Sequence, residues 1–183
     1  MRLFIAIEFN GKVKDSIYAT VQDLKGYAAR GNFTMRENLH LTIVFIGETT
    51  KTNEIKLGMD KVNVGQFQLS IRGLGKFPKG NKDIYWLGVE KNNTLSILYN
   101  QLYKELQENG LQLESREFKP HLTLGREIVL NDSFDERSFG KTIPAMDMEV
   151  TKISLMKSER VNGKLTYTAI YEKSLLGITT EFL

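Results

Sequence analysis

Apolar residues along this chain switch repeatedly between two spacings, and the switches predict strands alternating with helices. Leu3-Phe4-Ile5-Ala6-Ile7 is a continuous apolar run closed by Glu8, the pattern of a buried first strand. Beyond Asn10-Gly11, the residues Val13, Ile17, Val21, Leu24 and Ala28 recur at steps of three or four, which predicts an amphipathic helix over 12–29. The region 33–46 ends in His40-Leu41-Thr42-Ile43-Val44-Phe45-Ile46, rich in β-branched and aromatic residues and stopped by Gly47; it predicts a strand. A weaker helical stripe of Ile55, Met59 and Val62 covers 52–64, although Gly58 costs a helix about 1 kcal/mol.

Strands are predicted next at 67–74 and 84–89, joined by Gly75-Lys76-Phe77-Pro78-Lys79-Gly80-Asn81, whose turn residues and lysines describe a cationic hairpin loop. Leu95, Leu98, Leu102 and Leu106 share one face of a helix predicted over 93–109, with Gly110 as its stop. Three further strands follow near 121–127, 148–156 and 164–172, the last two joined at Asn162-Gly163. This order of elements predicts an α+β fold with largely antiparallel pairing.

Composition narrows the chemistry. The 183 residues contain no cysteine, which excludes disulfides, thiolate metal sites and cysteine nucleophiles and suits a reducing cytosol. A formal charge of +3 is too mild to diagnose a nucleic-acid partner.

The two histidines are the informative residues. They lie in nearly repeated tetrads, His40-Leu41-Thr42-Ile43 and His121-Leu122-Thr123-Leu124. With average residue usage, Leu-Thr-Ile/Leu follows a given histidine about once in a thousand times, so two occurrences argue for shared chemistry. In a strand, alternate side chains share a face, which puts His40 with Thr42 and His121 with Thr123 while the leucines turn to the core. Two such strands facing one another would present two imidazoles and two hydroxyls to one phosphate. Imidazole, with an unperturbed pKa near 6.5, serves as base or acid near neutral pH, and threonine hydroxyls can donate to phosphate oxygens. Arg126, five positions after His121, adds a fixed positive charge. Regular alternation would turn Arg126 away from His121, so its use requires a bulge, a strand end or a long reach.

These motifs resemble the two-histidine (2H) phosphoesterases, and within them the bacterial and archaeal RNA 2′,3′-cyclic phosphodiesterases, also called 2′-5′ RNA ligases. Glu37 to Gly47 is similar to the first motif of that family, and Phe118 to Arg126 to the second, with Gly125 where a small alanine is common. The resemblance implies a bilobal fold over 1–183, with two antiparallel sheets flanking a V-shaped cleft, helices outside and one motif on each lobe. It implies hydrolysis of a 2′,3′-cyclic phosphate to a 2′-phosphomonoester, without metal or cofactor. His40 is assigned as proton donor and His121 as proton acceptor; Thr42, Thr123 and Arg126 would hold phosphate, and Phe45 would stack on the terminal base. The implied partner is RNA ending in a 2′,3′-cyclic phosphate, tRNA halves included, bound by a cytoplasmic monomer with no membrane association. Reversible 2′-5′ ligation is a further implied activity.

Other readings have less behind them. A metal site would need carboxylates converging on the histidines, and no His-Glu-x-x-His spacing is present. Gly73-Leu74-Gly75-Lys76 lacks the spacing and the following hydroxyl of a triphosphate loop, so an ATP-dependent ligase is not expected. Lys76, Lys79, Lys82, Arg36 and Arg160 read mainly as solvated surface charge. The alternatives left open are a phosphodiesterase acting on another cyclic nucleotide or an RNA 3′ end, and a binding module that holds phosphorylated RNA ends without turnover.

Overall fold

The computed structural model describes residues 1–80, 82–115 and 117–177. Among these the elements run β1 (Arg2–Glu8), α1 (Gly11–Gly26), β2 (Ala28–Phe33), β3 (His40–Glu48), α2 (Thr52–Asp60), β4 (Phe67–Phe77), β5 (Asp83–Val89), α3 (Asn93–Glu108), β6 (His121–Leu130), α4 (Glu136–Thr142), β7 (Met146–Val150), β8 (Lys152–Val161) and β9 (Lys164–Ser174). The strands form two sheets, ordered β3-β1-β8-β9 and β2-β6-β5-β4-β7. Pairing within both is antiparallel. The fold is the α+β arrangement with antiparallel pairing that the element order predicts, in the two sheets that the family resemblance implies.

The two sheets correspond. In each, the strand that opens with a histidine pairs with the strand preceding a long helix: β3 with β1, which leads to α1, and β6 with β5, which leads to α3. The strand β2 is an added edge beside β6. Helix α1 buries Val13, Ile17, Val21 and Leu24, while α3 buries Leu95, Leu98, Leu102 and Leu106, the stripes legible in the sequence. Asn10 and Asn92 cap these helices by accepting from the backbone N–H of Val13 and Leu95. Although α1 follows a strand of the first sheet, it packs on β6 and β7 of the second; α3 follows the second sheet and reaches β3 of the first. One continuous hydrophobic core therefore spans both sheets.

Several boundaries differ from expectation. The first helix stops at Gly26, and Ala28 instead pairs with Leu130 in β2, a strand that the periodicity merged into its neighbours. The Tyr27 ring, held edge-on by Phe134 and Phe139, marks the change of direction. The second helix ends at Asp60 instead of continuing to Val64. The apolar run 148–156 is two strands: β7 joins the second sheet and β8 the first, with Thr151 at the crossing. Short α4 has too few turns for a periodic signal; Asp135 caps it by accepting from Ser138 N–H at 2.6 Å.

Close approach is tightest at Gly75. A Cβ on Gly75 would come within 2.2 Å of the Trp86 ring, which lies across β4 beside Phe77. Gly75→Ala is therefore expected to lower unfolding free energy by about 1–3 kcal/mol. Urea unfolding followed by the fluorescence of the single tryptophan checks this; an unchanged midpoint and unchanged emission would contradict the packing described.

Candidate active site

Both histidine strands carry an extra residue immediately after their threonine. Opposite β1, Ala6 pairs with Thr42 but Ile5 pairs with Val44, so Ile43 is bulged out of the count. Opposite β5, Trp86 pairs with Thr123 but Tyr85 pairs with Gly125, so Leu124 is the extra residue. In consequence Ile43 and Val44 are buried in succession, as are Leu124 and Gly125, and the next residues, Phe45 and Arg126, are exposed. A one-residue bulge reverses alternation beyond it. Phe45 thus returns to the face of His40, and Arg126 to the face of His121, which resolves the conflict that regular alternation raised.

The bulge in β6 is pinned from β2's end of the sheet. Thr34 donates its backbone N–H to the Leu124 carbonyl at 2.9 Å and its hydroxyl to the Thr123 carbonyl at 2.8 Å. A Cβ on Gly125 would lie 3.0 Å from the Asn32 carbonyl oxygen, so a residue without a side chain suits the approach of β2 there. No repeated residue flagged Thr34, because the first lobe has no strand equivalent to β2.

The imidazoles are held alike. Nδ1 of His40 lies 2.7 Å from the Asn38 carbonyl, and Nδ1 of His121 lies 2.7 Å from the Lys119 carbonyl. A carbonyl only accepts, so Nδ1 must carry the proton in both rings and Nε2 is left as the acceptor. At His40 that nitrogen accepts from the Thr42 hydroxyl at 2.9 Å. At His121 Nε2 has no partner among the described residues.

Their surroundings differ. His40 packs against Phe4 at 4.8 Å between centroids and edge-on to Tyr167 at 5.1 Å, over a small apolar floor of Phe4, Ala6 and Met156. His121 meets Phe77 edge-on at 5.0 Å and Trp86 at 5.9 Å. Burial pushes the His40 imidazole below its ordinary pKa; the hydrogen bond to Asn38 and the charge of Glu8 oppose this, while Lys14 and Arg126 reinforce it. Burial likewise pushes the Tyr167 phenol upward against the pull of Arg126 and Arg2. Asn38, unremarked in the sequence, does double work here: its carbonyl orients His40 while its buried amide donates to the Leu165 carbonyl on β9 at 2.8 Å.

The two lobes meet at these residues. Strands β3 and β6 pack together, and Arg126 of the second sheet is near enough to His40 and Tyr167 of the first for its charge to act on both. Arg2, Lys14 and Arg126 form no ion pair with any described residue. Three of the cations read as surface charge are matched: Lys76 with Glu136 at 2.8 Å, Arg36 with Asp15 at 2.6 Å and Lys82 with Glu127 at 3.9 Å. Among the described residues no group of three or more His, Asp or Glu side chains is arranged to hold a metal. Nor is any described helix long and apolar enough to cross a membrane.

A sequence model of the 2′-5′ RNA ligase superfamily matches residues 13–162, which include both histidine strands. The chain belongs to that superfamily. It is 30% identical over 177 residues to the RNA 2′,3′-cyclic phosphodiesterase of Thermotoga maritima, covering 94% of each chain. With the RNA 2′,3′-cyclic phosphodiesterase of Archaeoglobus fulgidus it shares 32% identity over 129 residues, 69% of this chain and 72% of that one. The crystal structure of Escherichia coli LigT complexed with 3′-AMP superposes with a TM-score of 0.78 at 25% identity, covering 95% of this chain and 97% of LigT. As a member of the superfamily, the chain places its repeated tetrads at corresponding positions of the two sheets.

The lowered His40 pKa makes a prediction about stability. An unfolded histidine takes up a proton near pH 6.5 whereas the folded one resists it, so below about pH 6.5 the unfolded state binds more protons and stability falls as pH falls. His40→Asn removes this contribution. Urea unfolding at about pH 7.5 and about pH 5.5 should therefore show a smaller acid loss in the variant than in the parent. Equal losses would contradict a neutral buried His40.

Proposed function

We propose that this protein is an RNA 2′,3′-cyclic phosphodiesterase that opens the terminal cyclic phosphate to a 2′-phosphomonoester by acid-base catalysis between His40 and His121. The observation that carries this reading is the doubled arrangement just described: two His-x-Thr strands, each with Nδ1 tied to a carbonyl, each bulged to return the fifth residue to the histidine's face. Relatives named RNA 2′,3′-cyclic phosphodiesterase across most of the chain support the substrate class.

In the proposed reaction a water attacks phosphorus as its proton passes to Nε2 of His121. The bond from phosphorus to the 3′ oxygen breaks, and His40 Nε2–H protonates that oxygen, leaving phosphate on the 2′ oxygen. Hydroxyl donors on Thr42 and Thr123 and the guanidinium of Arg126 steady the non-bridging oxygens, whose charge grows toward the transition state. Phe45 offers an exposed ring to the terminal base. Run backward with an RNA 2′ end, the same proton transfers would form a 2′-5′ linkage.

The donor assignment has a consequence. In the free protein burial disfavours the protonated form of His40, yet a donor must begin protonated. His40 therefore acquires its proton as the phosphate anion arrives, the negative charge offsetting desolvation and the cations nearby. The proposed setting is a monomer in the cytoplasm, acting on RNA ends such as those of tRNA halves; the absence of cysteine suits that reducing compartment.

Hydrolysis of adenosine 2′,3′-cyclic phosphate measured with and without a strong chelator tests the core of the reading. The parent should be insensitive to chelation, and His40→Ala and His121→Ala should each lose about 10²–10⁴-fold in kcat. Activity abolished by chelator would end the metal-free mechanism, and near-parental rates in either variant would end the two-imidazole one. Separately, ¹⁵N spectra of the histidine rings at neutral pH should show His40 gaining a proton when 2′-AMP binds. A His40 ring that stays neutral in the complex would exchange the donor and acceptor roles.

A further inference from the structure

Beyond the reacting centre, one row of side chains on the same face is unused. Across three adjacent strands of the first sheet, Arg2 pairs with Ser158 and Ser158 with Tyr167. Their neighbours Phe4 and Met156, paired one row nearer to His40, form the floor on which that ring lies. Paired residues point to the same face of a sheet, so Arg2, Ser158 and Tyr167 border the site just beyond Phe4. Two residues of β1 separate the rows, about 7 Å along the strand.

These three groups are donors without acceptors. Arg2 is exposed and forms no ion pair with a described residue; its guanidinium lies 5.2 Å above the Phe45 ring. Neither the half-buried Ser158 hydroxyl nor the Tyr167 hydroxyl has an internal hydrogen-bond partner among the described residues. The charges of Arg2 and Arg126, from opposite sheets, both act on Tyr167. A guanidinium and two hydroxyls aligned in one row of a sheet face suit phosphate oxygens. The reaction itself accounts for one phosphate, held by the histidines, threonines and Arg126.

We propose that Arg2, Ser158 and Tyr167 form a second phosphate subsite, which takes the phosphate on the 5′ oxygen of the terminal nucleoside while its base lies on Phe45. The preferred substrate is then a nucleoside 2′,3′-cyclic phosphate that also carries a 5′ phosphate, either as the diester of an RNA chain or as a free monoester. This rests on the hydrolase reading above and adds the nucleotide step that precedes the reacting end. Stacked on Phe45, Arg2 is pre-oriented for the second phosphate, which limits the side-chain entropy lost on binding.

The test compares kcat/KM for three substrates: adenosine 2′,3′-cyclic phosphate, its 5′-phosphorylated form, and the dinucleotide ApA ending in the same cyclic phosphate. The parent should favour the 5′-substituted substrates by about tenfold or more, as expected of one charge-assisted contact, with the preference shrinking as salt rises. Arg2→Gln should bring the ratio close to one, Arg2→Lys should keep part of it, and Ser158→Ala should reduce it less. A preference for the monoester alone assigns the subsite to free nucleotides; a preference shared by ApA assigns it to RNA. Turnover of the simple cyclic phosphate with a parental ratio near one, or an unchanged ratio in Arg2→Gln, would overturn the subsite and leave the hydrolase reading intact. Failure to open any of the three would remove both.

Discussion

An extra residue after each His-x-Thr is the constraint on which the arrangement turns. A regular strand would send the fifth residue after each histidine into the core that Leu41, Ile43, Leu122 and Leu124 build, where Arg126 would be a buried charge and the Phe45 ring would leave the histidine's face. The bulge costs the ladder one pairing and brings a third side chain of each strand to the histidine's face. Its local supports differ: Thr34 and Gly125 fit the bulge of β6 to the added strand β2, whereas β3 is a sheet edge with no strand beyond it. The same device is thus built twice with unequal neighbours.

That inequality extends to the chemistry. The two imidazoles share a tautomer, fixed by carbonyls two residues upstream. Beyond that, His40 is wedged between Phe4 and Tyr167 with its Nε2 already engaged by Thr42, while Nε2 of His121 has no such partner among the described residues. Two nearly identical peptide segments are therefore given different surroundings by what packs on them, and burial pushes the His40 imidazole below its ordinary pKa. A pair of titratable groups with diverging environments is the arrangement that acid-base catalysis near neutral pH requires. The crossing of α1 and α3 onto opposite sheets holds the lobes that carry the two rings through one shared core.

How much of this was legible in the residues varied with the length and regularity of the signal. The leucine stripe of α3 and the apolar run of β1 announced themselves, because burial on one face imposes a period that survives without tertiary context. The run 148–156 did not reveal that it serves two sheets, since both halves are apolar and only their partners differ. β2, none of whose residues is buried, offers too little hydrophobic contrast to stand apart from the helix before it.

The sequence by itself determined the residue types of the chemistry, the doubling of the tetrad and the inward leucines, because these depend on side-chain identity and on the fixed two-residue period of a strand. Tertiary structure alone decided which faces Phe45 and Arg126 occupy, that Arg126 lies near a histidine of the other sheet, and that Arg2, Ser158 and Tyr167 stand in one row. Those facts follow from bulges and from pairings between residues as many as 156 positions apart, as between Arg2 and Ser158. Register at that range is set by the packing of the whole core, and no local pattern encodes it.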